Sequence, residues 1–292
     1  MKATLVARLF DLASWLPLRV LHAAGSVLGW LTYALSPAYA SHLRENLNNA
    51  WQNKRLGTPE SVLGQNIREM GKSICELPWI WRRSLDVVLH SVGEIHGAEH
   101  LAAARELGKG IIVLTPHLGS FEIVGLYVAA HMPMTCMYRV PKQPWLDPII
   151  RGGRERGQMK LARADVGGVR TLLKALKRGE AIGLLPDQAP SHGEGEWAPF
   201  FDRPAYTMTL VSRLAEASGA GLLLAYGERL PHGKGYEIHF SPLEFTPGKP
   251  VTEQLNTALE QVILACPEQY LWAYNRYKVP RGALPPDEER KS

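Results

Sequence analysis

Cysteine is scarce in this chain of 292 residues: Cys75, Cys136 and Cys266 are the only three, far apart and each in an apolar context. An odd, sparse set excludes a disulfide framework or a zinc ribbon and fits buried thiols in a reducing compartment. No block of Lys and Arg interleaved with aromatic residues occurs, which argues against nucleic acid as a partner. There is no Gly-x-Ser-x-Gly elbow and no glycine-rich Lys-Ser/Thr phosphate loop, so serine-hydrolase and P-loop chemistry lack their carriers. Gly193-x-Gly195-x-x-Ala198 superficially matches a dinucleotide fingerprint. It follows no adjacent strand, however, and carries Glu194 and Glu196 where a pyrophosphate would sit. No fixed-period repeat is present. Charge itself is missing from one stretch: no Lys, Arg, Asp or Glu lies between Arg19 and Arg44.

That stretch sets residues 1–40 apart. The run 23–35 is almost wholly apolar, while 5–21 is apolar but broken by Arg8, Asp11, Pro17 and Arg19. Ala38-Tyr39-Ala40 has the small-x-small form of a signal cleavage site, yet forty residues with scattered charges suit a signal peptide poorly. A spanning helix needs about 20 apolar residues, and Gly25, Ser26, Gly29 and Pro37 make 20–40 marginal. A segment lying in one leaflet accommodates the scattered Arg and aromatic residues most easily. Residues 1–40 are therefore read as a retained membrane anchor, ahead of a signal peptide or a buried core helix. The sparse cysteines favour the cytoplasmic side.

After Pro37 the pattern is helical through 41–95. Arg44-Glu-Asn-Leu47 opens an amphipathic stretch, Thr58 to Glu60 reads as a helix start, and Trp79-Ile-Trp-Arg-Arg83 suits either an interfacial patch or two core tryptophans. From 96 to 280 short apolar runs at 111–115, 135–139, 181–185, 221–226 and 236–240 read as strands. Helical patterns fall at 98–107, 120–131, 145–157, 166–178, 206–218 and 251–265. This alternation predicts an α/β fold, a mixed, mostly parallel sheet flanked by helices. Residues 281–292 form a polar tail with the composition of a disordered segment.

The run from Ile111 through Thr115-Pro-His117 to Glu122 carries the chemistry. It places an imidazole between a strand end and a helix start, with Ser120 near the N-cap. Strand ends of an α/β sheet face a ligand crevice. Glu122, in the first helical turn, is expected to fold back onto His117 and hold one tautomer, making the ring a general base for a hydroxyl. Arg139 follows the next strand, and Arg151, Arg154, Arg156 and Arg163 come after it, a guanidinium set suited to phosphate or to a solvated helix face. Asp187 and Gln188 end another strand and are expected to point into the same crevice. The glycine-rich loop 189–199 reads as a mobile lid leading to an apolar wedge, Pro199-Phe-Phe201. A rival is His96-Gly-Ala-Glu99-His100, the form of an inverted zinc-peptidase motif, weakened by Gly97 near the helix start.

Taken in order, these residues resemble the late acyltransferases of lipid A biosynthesis, the lauroyl/myristoyl transferase family. The resemblance runs from the apolar N-terminus to about Gly282. It rests on Arg44-x-Asn46-Leu47, Gly97-x-Glu-His-Leu101, His117-x4-Glu122, Tyr138-Arg139-x-Pro141 and Gly153-Arg-x-Arg156. It continues through Pro186-Asp-Gln188, Pro199-Phe-Phe201, Arg276-x-Lys278 and the most distinctive segment, Pro267-Glu-Gln-Tyr-Leu-Trp272. Asn275 and Tyr277 stand where the family commonly has a basic residue and Phe, and the loop 189–198 is unusually acidic. The resemblance implies a glycerolipid-acyltransferase-like core at the cytoplasmic face of a bacterial inner membrane. His117 would be the base and Glu122 its orienting acid, with Arg139, Arg154, Arg156 and Asp187 binding substrate and Arg154 or loop amides near Gly119 serving the oxyanion. The donor would be a fatty acyl chain on acyl carrier protein and the acceptor a hydroxyl of a lipid A precursor, with no metal, cofactor or covalent intermediate. A net charge of +5 suits an anionic carrier and an anionic lipid. Three alternatives stay open: an acyltransferase for a glycerophospholipid or other lipid acceptor, a zinc hydrolase on His96, Glu99 and His100, and a non-enzymatic membrane protein.

Overall fold

The computed structural model describes residues 2–54 and 59–286. Thr58, part of the predicted helix start, and 287–292 of the predicted tail lie outside the described residues. Six helices open the chain: α1 (Lys2–Ser14), α2 (Leu18–Leu35), α3 (Pro37–Lys54), α4 (Glu60–Cys75), α5 (Leu77–Arg82) and α6 (Leu85–His90). Proline punctuates them. Pro17 separates α1 from α2, and Pro37 begins α3, where its missing N–H is not needed. Among the described residues no helix is long and apolar enough to cross a membrane. The predicted anchor is thus two short helices broken at Pro17, not one spanning segment.

Glycine explains how α2 is used instead. A Cβ on Gly25 or Gly29 would overlap the α4 backbone at Lys72 or Ile67, and one on Gly71 would overlap Gly25. The two helices touch backbone to backbone. Behind that contact His22 Nε2 lies 3.1 Å from Glu76 Oε2, and Arg229 donates to Glu76 (Nε–Oε2 and Nη2–Oε1, both 2.7 Å) and to Glu69 (Nη1–Oε2, 2.8 Å). Burial alone would raise the Glu76 carboxyl, but Arg229 and His22 outweigh it and hold it at about 2. Trp79, Ile80 and Trp81 are buried, so the Trp-Ile-Trp cluster belongs to the core. Arg82 reaches Asp11, and Arg83 donates to Ser14 O.

The rest alternates: β1 (Val92–His96), α7 (Ala98–Glu106), β2 (Ile111–Leu114), α8 (Phe121–His131), β3 (Met134–Tyr138), α9 (Asp147–Arg154), β4 (Met159–Arg163), α10 (Val166–Lys177) and β5 (Ala181–Leu184). Then come β6 (Gly195–Phe200), β7 (Arg203–Met208), α11 (Leu210–Ser218), β8 (Gly221–Arg229), β9 (Tyr236–Leu243) and α12 (Val251–Ala265). Seven strands form one sheet in the order β1-β9-β8-β2-β5-β3-β4. From β8 to β4 every pair is parallel; β9 runs antiparallel to β8, and β1 parallel to β9. The central strand β2 is buried throughout, as a parallel strand covered on both faces must be. Its alternate residues serve different cores: Ile112 and Leu114 pack with Leu172, Leu176, Leu255 and Leu259, whereas Ile111 and Val113 pack with Ile123 and Val124.

The predicted α/β sheet is present, and its differences have local causes. β1 and β4 were not anticipated because they are the two edge strands, half exposed and rich in polar residues. The predicted helix 206–218 starts only at Leu210, because 206–208 belongs to β7. Residues 195–199 of the predicted lid are β6, paired antiparallel with β7. Phe201 and Asp202 close that hairpin with φ of 49° and 58°, a conformation costly for residues other than glycine. The turn is held from both sides: Phe201 N donates to Glu260 Oε1 and its carbonyl accepts from Asn49 and Asn53. Phe200 and Phe201 are therefore buried, Phe201 against Trp272 at 5.3 Å, and the predicted wedge is core.

Gly71→Ala is expected to destabilise the fold by roughly 2 kcal/mol in urea unfolding, although Ala is the better helix former. The folded Glu76 carboxyl stays ionised down to about pH 2, whereas a free one protonates near 4.5. Its contribution is complete above pH 4.5 and drains away between 4.5 and 2. Glu76→Gln should cost roughly 3–5 kcal/mol at pH 7, because the buried Arg229 loses the carboxylate that takes Nε and Nη2 and keeps only Glu69 as a counter-charge. The variant should also lose less stability than the parent between pH 5 and pH 3.

Candidate active site

Strand register builds the site. β2 and β5 pair in parallel from Ile111↔Ala181 to Leu114↔Leu184, so their carboxyl ends stop side by side. His117 and Asp187 each stand three residues beyond those matched ends. The ring Nδ1 lies 2.9 Å from Asp187 Oδ1, and the His117 backbone amide donates to Asp187 Oδ2 at 3.0 Å. One carboxylate thus fixes both the backbone and the ring. Asp187 is only 2% exposed, and burial would raise its pKa; the attraction and hydrogen bonds of His117 prevail and hold it below the usual carboxylate range. A carboxylate on Nδ1 selects the tautomer with its proton there, leaving Nε2 a lone pair. The Gln188 amide nitrogen lies 3.2 Å from Nε2, and Phe121 meets the ring edge-on at 5.2 Å.

A second clamp comes from the far end of the chain. Leu271 N donates to His117 O, Gly119 N to Gln269 O, and Ser120 N to Gly227 O. Gly119 has φ +58°, and a Cβ there would overlap the Gly227 carbonyl, so only glycine fits. The segment is itself anchored: Asn66 Nδ2 donates to Glu268 O and Tyr270 O, and Asn46 Nδ2 to Trp272 O and Tyr274 O. Asn46, Asn66 and Gln269 were not singled out as site residues. For Asn46 and Asn66 the signal was a polar side chain placed inward on helices α3 and α4, whereas Gln269 lies in the turn 267–269. Ser120 occupies the N-cap position of α8 but makes no side-chain cap.

Several predicted roles change. Glu122 does not hold His117; its carboxylate takes Arg154 Nε at 2.9 and 3.0 Å, Arg154 Nη2, and Trp81 Nε1 at 3.1 Å. The start of α8 turns Glu122 toward α5 and α9, and two donors capture it there. Asp187, predicted to point into the crevice, does not line the cavity; its carboxylate sits on Nδ1 and the amide of His117. The Arg156 guanidinium is consumed by the carbonyls of Gly153, Arg83 and Ile80 and binds nothing in the crevice. The Gly119 amide, a predicted oxyanion donor, is spent on Gln269 O. Arg151 pairs with Tyr138 and Glu155. His96, Glu99 and His100 do not converge: the His96 ring faces Glu237 instead, so the zinc-peptidase motif does not assemble.

His117, Gln188, Glu122, Arg139 and Arg154 all line one cavity of about 700 Å³. The rest of its wall is largely apolar and includes Met134, Met137 and Met159, whose flexible thioethers adapt to an irregular or mobile hydrocarbon. The arrangement pairs an oriented imidazole with a large, mostly apolar chamber and the half-buried guanidinium of Arg154. Burial opposes the charge on Arg154, but Glu122 outweighs that and holds it firmly cationic.

The family profile for bacterial lipid A biosynthesis acyltransferases matches residues 2–279. The chain is 28% identical over 277 residues to the lipid A biosynthesis palmitoleoyltransferase of Escherichia coli K12, covering 90% of this chain and 86% of that protein. It is 27% identical over 278 residues to the lauroyltransferase of the same organism, covering 92% and 89%. It is also 25% identical over 238 residues to the phosphatidylinositol mannoside acyltransferase of Mycobacterium tuberculosis, covering 78% and 74%. The chain belongs to the bacterial lipid A biosynthesis acyltransferase family.

Proposed function

We propose that the protein moves a fatty acyl group from the thioester of acyl carrier protein to a hydroxyl of a lipid A precursor, with His117 as general base and Asp187 as its orienting carboxylate. The observation that carries this reading is the Nδ1–Asp187 hydrogen bond on a ring that lines an apolar cavity of about 700 Å³. The acceptor hydroxyl displaces Gln188 from Nε2 and gives up its proton there. Its oxygen attacks the thioester carbonyl, a C–O bond forms, the C–S bond breaks, and the imidazolium returns the proton to the carrier thiolate. No cofactor or metal enters these steps.

Arg154 is the oxyanion donor in this scheme. Glu122 occupies Nε and Nη2, so Nη1 remains for the substrate. Glu122 acts through Arg154 as a positioning residue. Arg139, exposed at the cavity wall, is suited to a lipid phosphate or an acidic carrier surface. Similarity to a phosphatidylinositol mannoside enzyme favours one second reading, in which another glycolipid supplies the hydroxyl to the same base.

The place of action is the cytoplasmic face of the bacterial inner membrane. Support comes from α1 and α2, where Leu9, Leu12, Trp15, Leu31 and Leu35 are exposed although large and apolar. A patch of this kind on two helices joined at Pro17 suits the interface plane of a bilayer rather than water.

Transfer of labelled acyl groups from acyl carrier protein to the lipid acceptor, followed by mass spectrometry of the product, tests the reading. His117→Ala should lower kcat about 10³-fold while circular dichroism shows the chain still folded. Asp187→Asn should lower it at least about 10²-fold by unsettling the tautomer. Full activity in Asp187→Asn would remove that residue from the mechanism. For the membrane face, the double variant Leu12→Asp, Leu31→Asp should lose co-sedimentation with anionic phospholipid vesicles while remaining folded.

A further inference from the structure

The zinc-like sequence motif breaks up in three dimensions, but His96 finds other company. At one side of the sheet, β1, β9 and β8 run side by side, with His96 opposite His239, Tyr226 opposite His239, and Glu228 opposite Glu237. Residues two apart on a strand share a face, so His239 and Glu237 project together, as do Tyr226 and Glu228. The three rings stack in a row: His96 to His239 at 4.4 Å and 15°, His239 to Tyr226 at 4.4 Å and 4°. Carboxylates stand against the imidazoles. His96 Nε2 is 3.2 Å from Glu237 Oε2, and His239 Nε2 is 3.3 Å from Glu228 Oε2. That His239 nitrogen is shut off from solvent and makes no hydrogen bond of acceptable geometry among the described residues. One donor atom from each of His96, Glu237 and His239 lies within 4.8 Å of the other two. None of these residues lines the catalytic cavity.

We propose that His96, Glu237 and His239 form a three-ligand binding site for a first-row divalent transition metal, zinc foremost. Two imidazoles and a carboxylate are a donor set for zinc, whereas magnesium and calcium favour oxygen ligands throughout. Zinc–nitrogen bonds of about 2.0–2.1 Å bring neighbouring ligand atoms to roughly 3.4 Å in a tetrahedron, and because each lone pair lies in its ring plane, the stacked His96 and His239 rings must rotate out of their parallel stack to face one ion. The three ligands come from two paired strands whose backbones already hold them in register. A bound ion clips the edge strand β1, half exposed and short, to β9. Gly227, which bridges to Gly119, is on the adjacent strand β8 and pairs with Ile238 between the two β9 ligands, so by alternation it faces the other side of the sheet, and the ion has no part in the acyl-transfer scheme.

The full-length chain, stripped with a chelator and dialysed against zinc alone, is expected to retain about one zinc per chain by elemental analysis. His96→Asn and His239→Asn should each lower the affinity at least tenfold, whereas His100→Asn and His117→Ala should keep it. Cobalt should give visible ligand-field bands that both lowering variants lose, with circular dichroism reporting that they remain folded. Zinc at a hundredfold excess over Kd should raise Tm by about 5 °C in the parent and not in those variants. Background zinc only, or zinc kept by the double variant His96→Asn, His239→Asn, overturns the proposal. So does loss of zinc in His117→Ala, which would move the metal to the catalytic cavity.

Discussion

The parallel pairing of β2 with β5 is the constraint from which the site follows. Both strands are buried on both faces, so their register is set by apolar packing, and a slip of one residue would send every side chain to the wrong core. With the register held, positions three residues beyond adjacent strand ends deliver an imidazole and a carboxylate to one place. Asp187 then binds the ring and the amide of the same residue, so the His117 imidazole is held in one orientation. Preorganisation of this kind arises before any residue of the cavity is considered.

Legibility in the sequence followed burial. The central strands and the helices around them were readable because apolar residues recur with the period of their element. The edge strands β1 and β4 were not, since solvent on one side removes the need for an apolar run. The hairpin β6–β7 hid behind glycine and acidic residues that mimic a loop, and its turn uses Phe201 and Asp202 where a sequence signal would require Asn-Gly. At the site, His117 was visible from its strand-to-helix position, but its partner was misassigned. Proximity along the chain favoured Glu122; proximity across the sheet belongs to Asp187, and strand order is not written in any local window. The same reason hid the fate of Arg156, which looks like a phosphate ligand in sequence and is bound to three carbonyls in space.

The segment Pro267 to Trp272 and the asparagines of α3 and α4 show what several distinctive motifs are for. None of them lines the cavity that His117 lines. Asn46 and Asn66 satisfy carbonyls of an irregular stretch that has no strand or helix to pair with, and that stretch in turn satisfies the loop bearing the base. A buried loop carries backbone groups that must be paired, and side-chain amides supply what secondary structure cannot. These interactions specify one geometry more than they add stability, since any partner removed leaves its mate stranded.

Arg229 reaches further than its two glutamates. Its Nη2 also lies 3.3 Å from the carbonyl of Gly119, while Glu76, on the other side, meets His22 in α2. A continuous polar strut therefore runs from the second helix to the loop that carries the imidazole, through groups too buried to yield. Whatever surface the outer side of that helix rests upon, the His117 ring stands at a constant height above it, as a stylus is held above a plate.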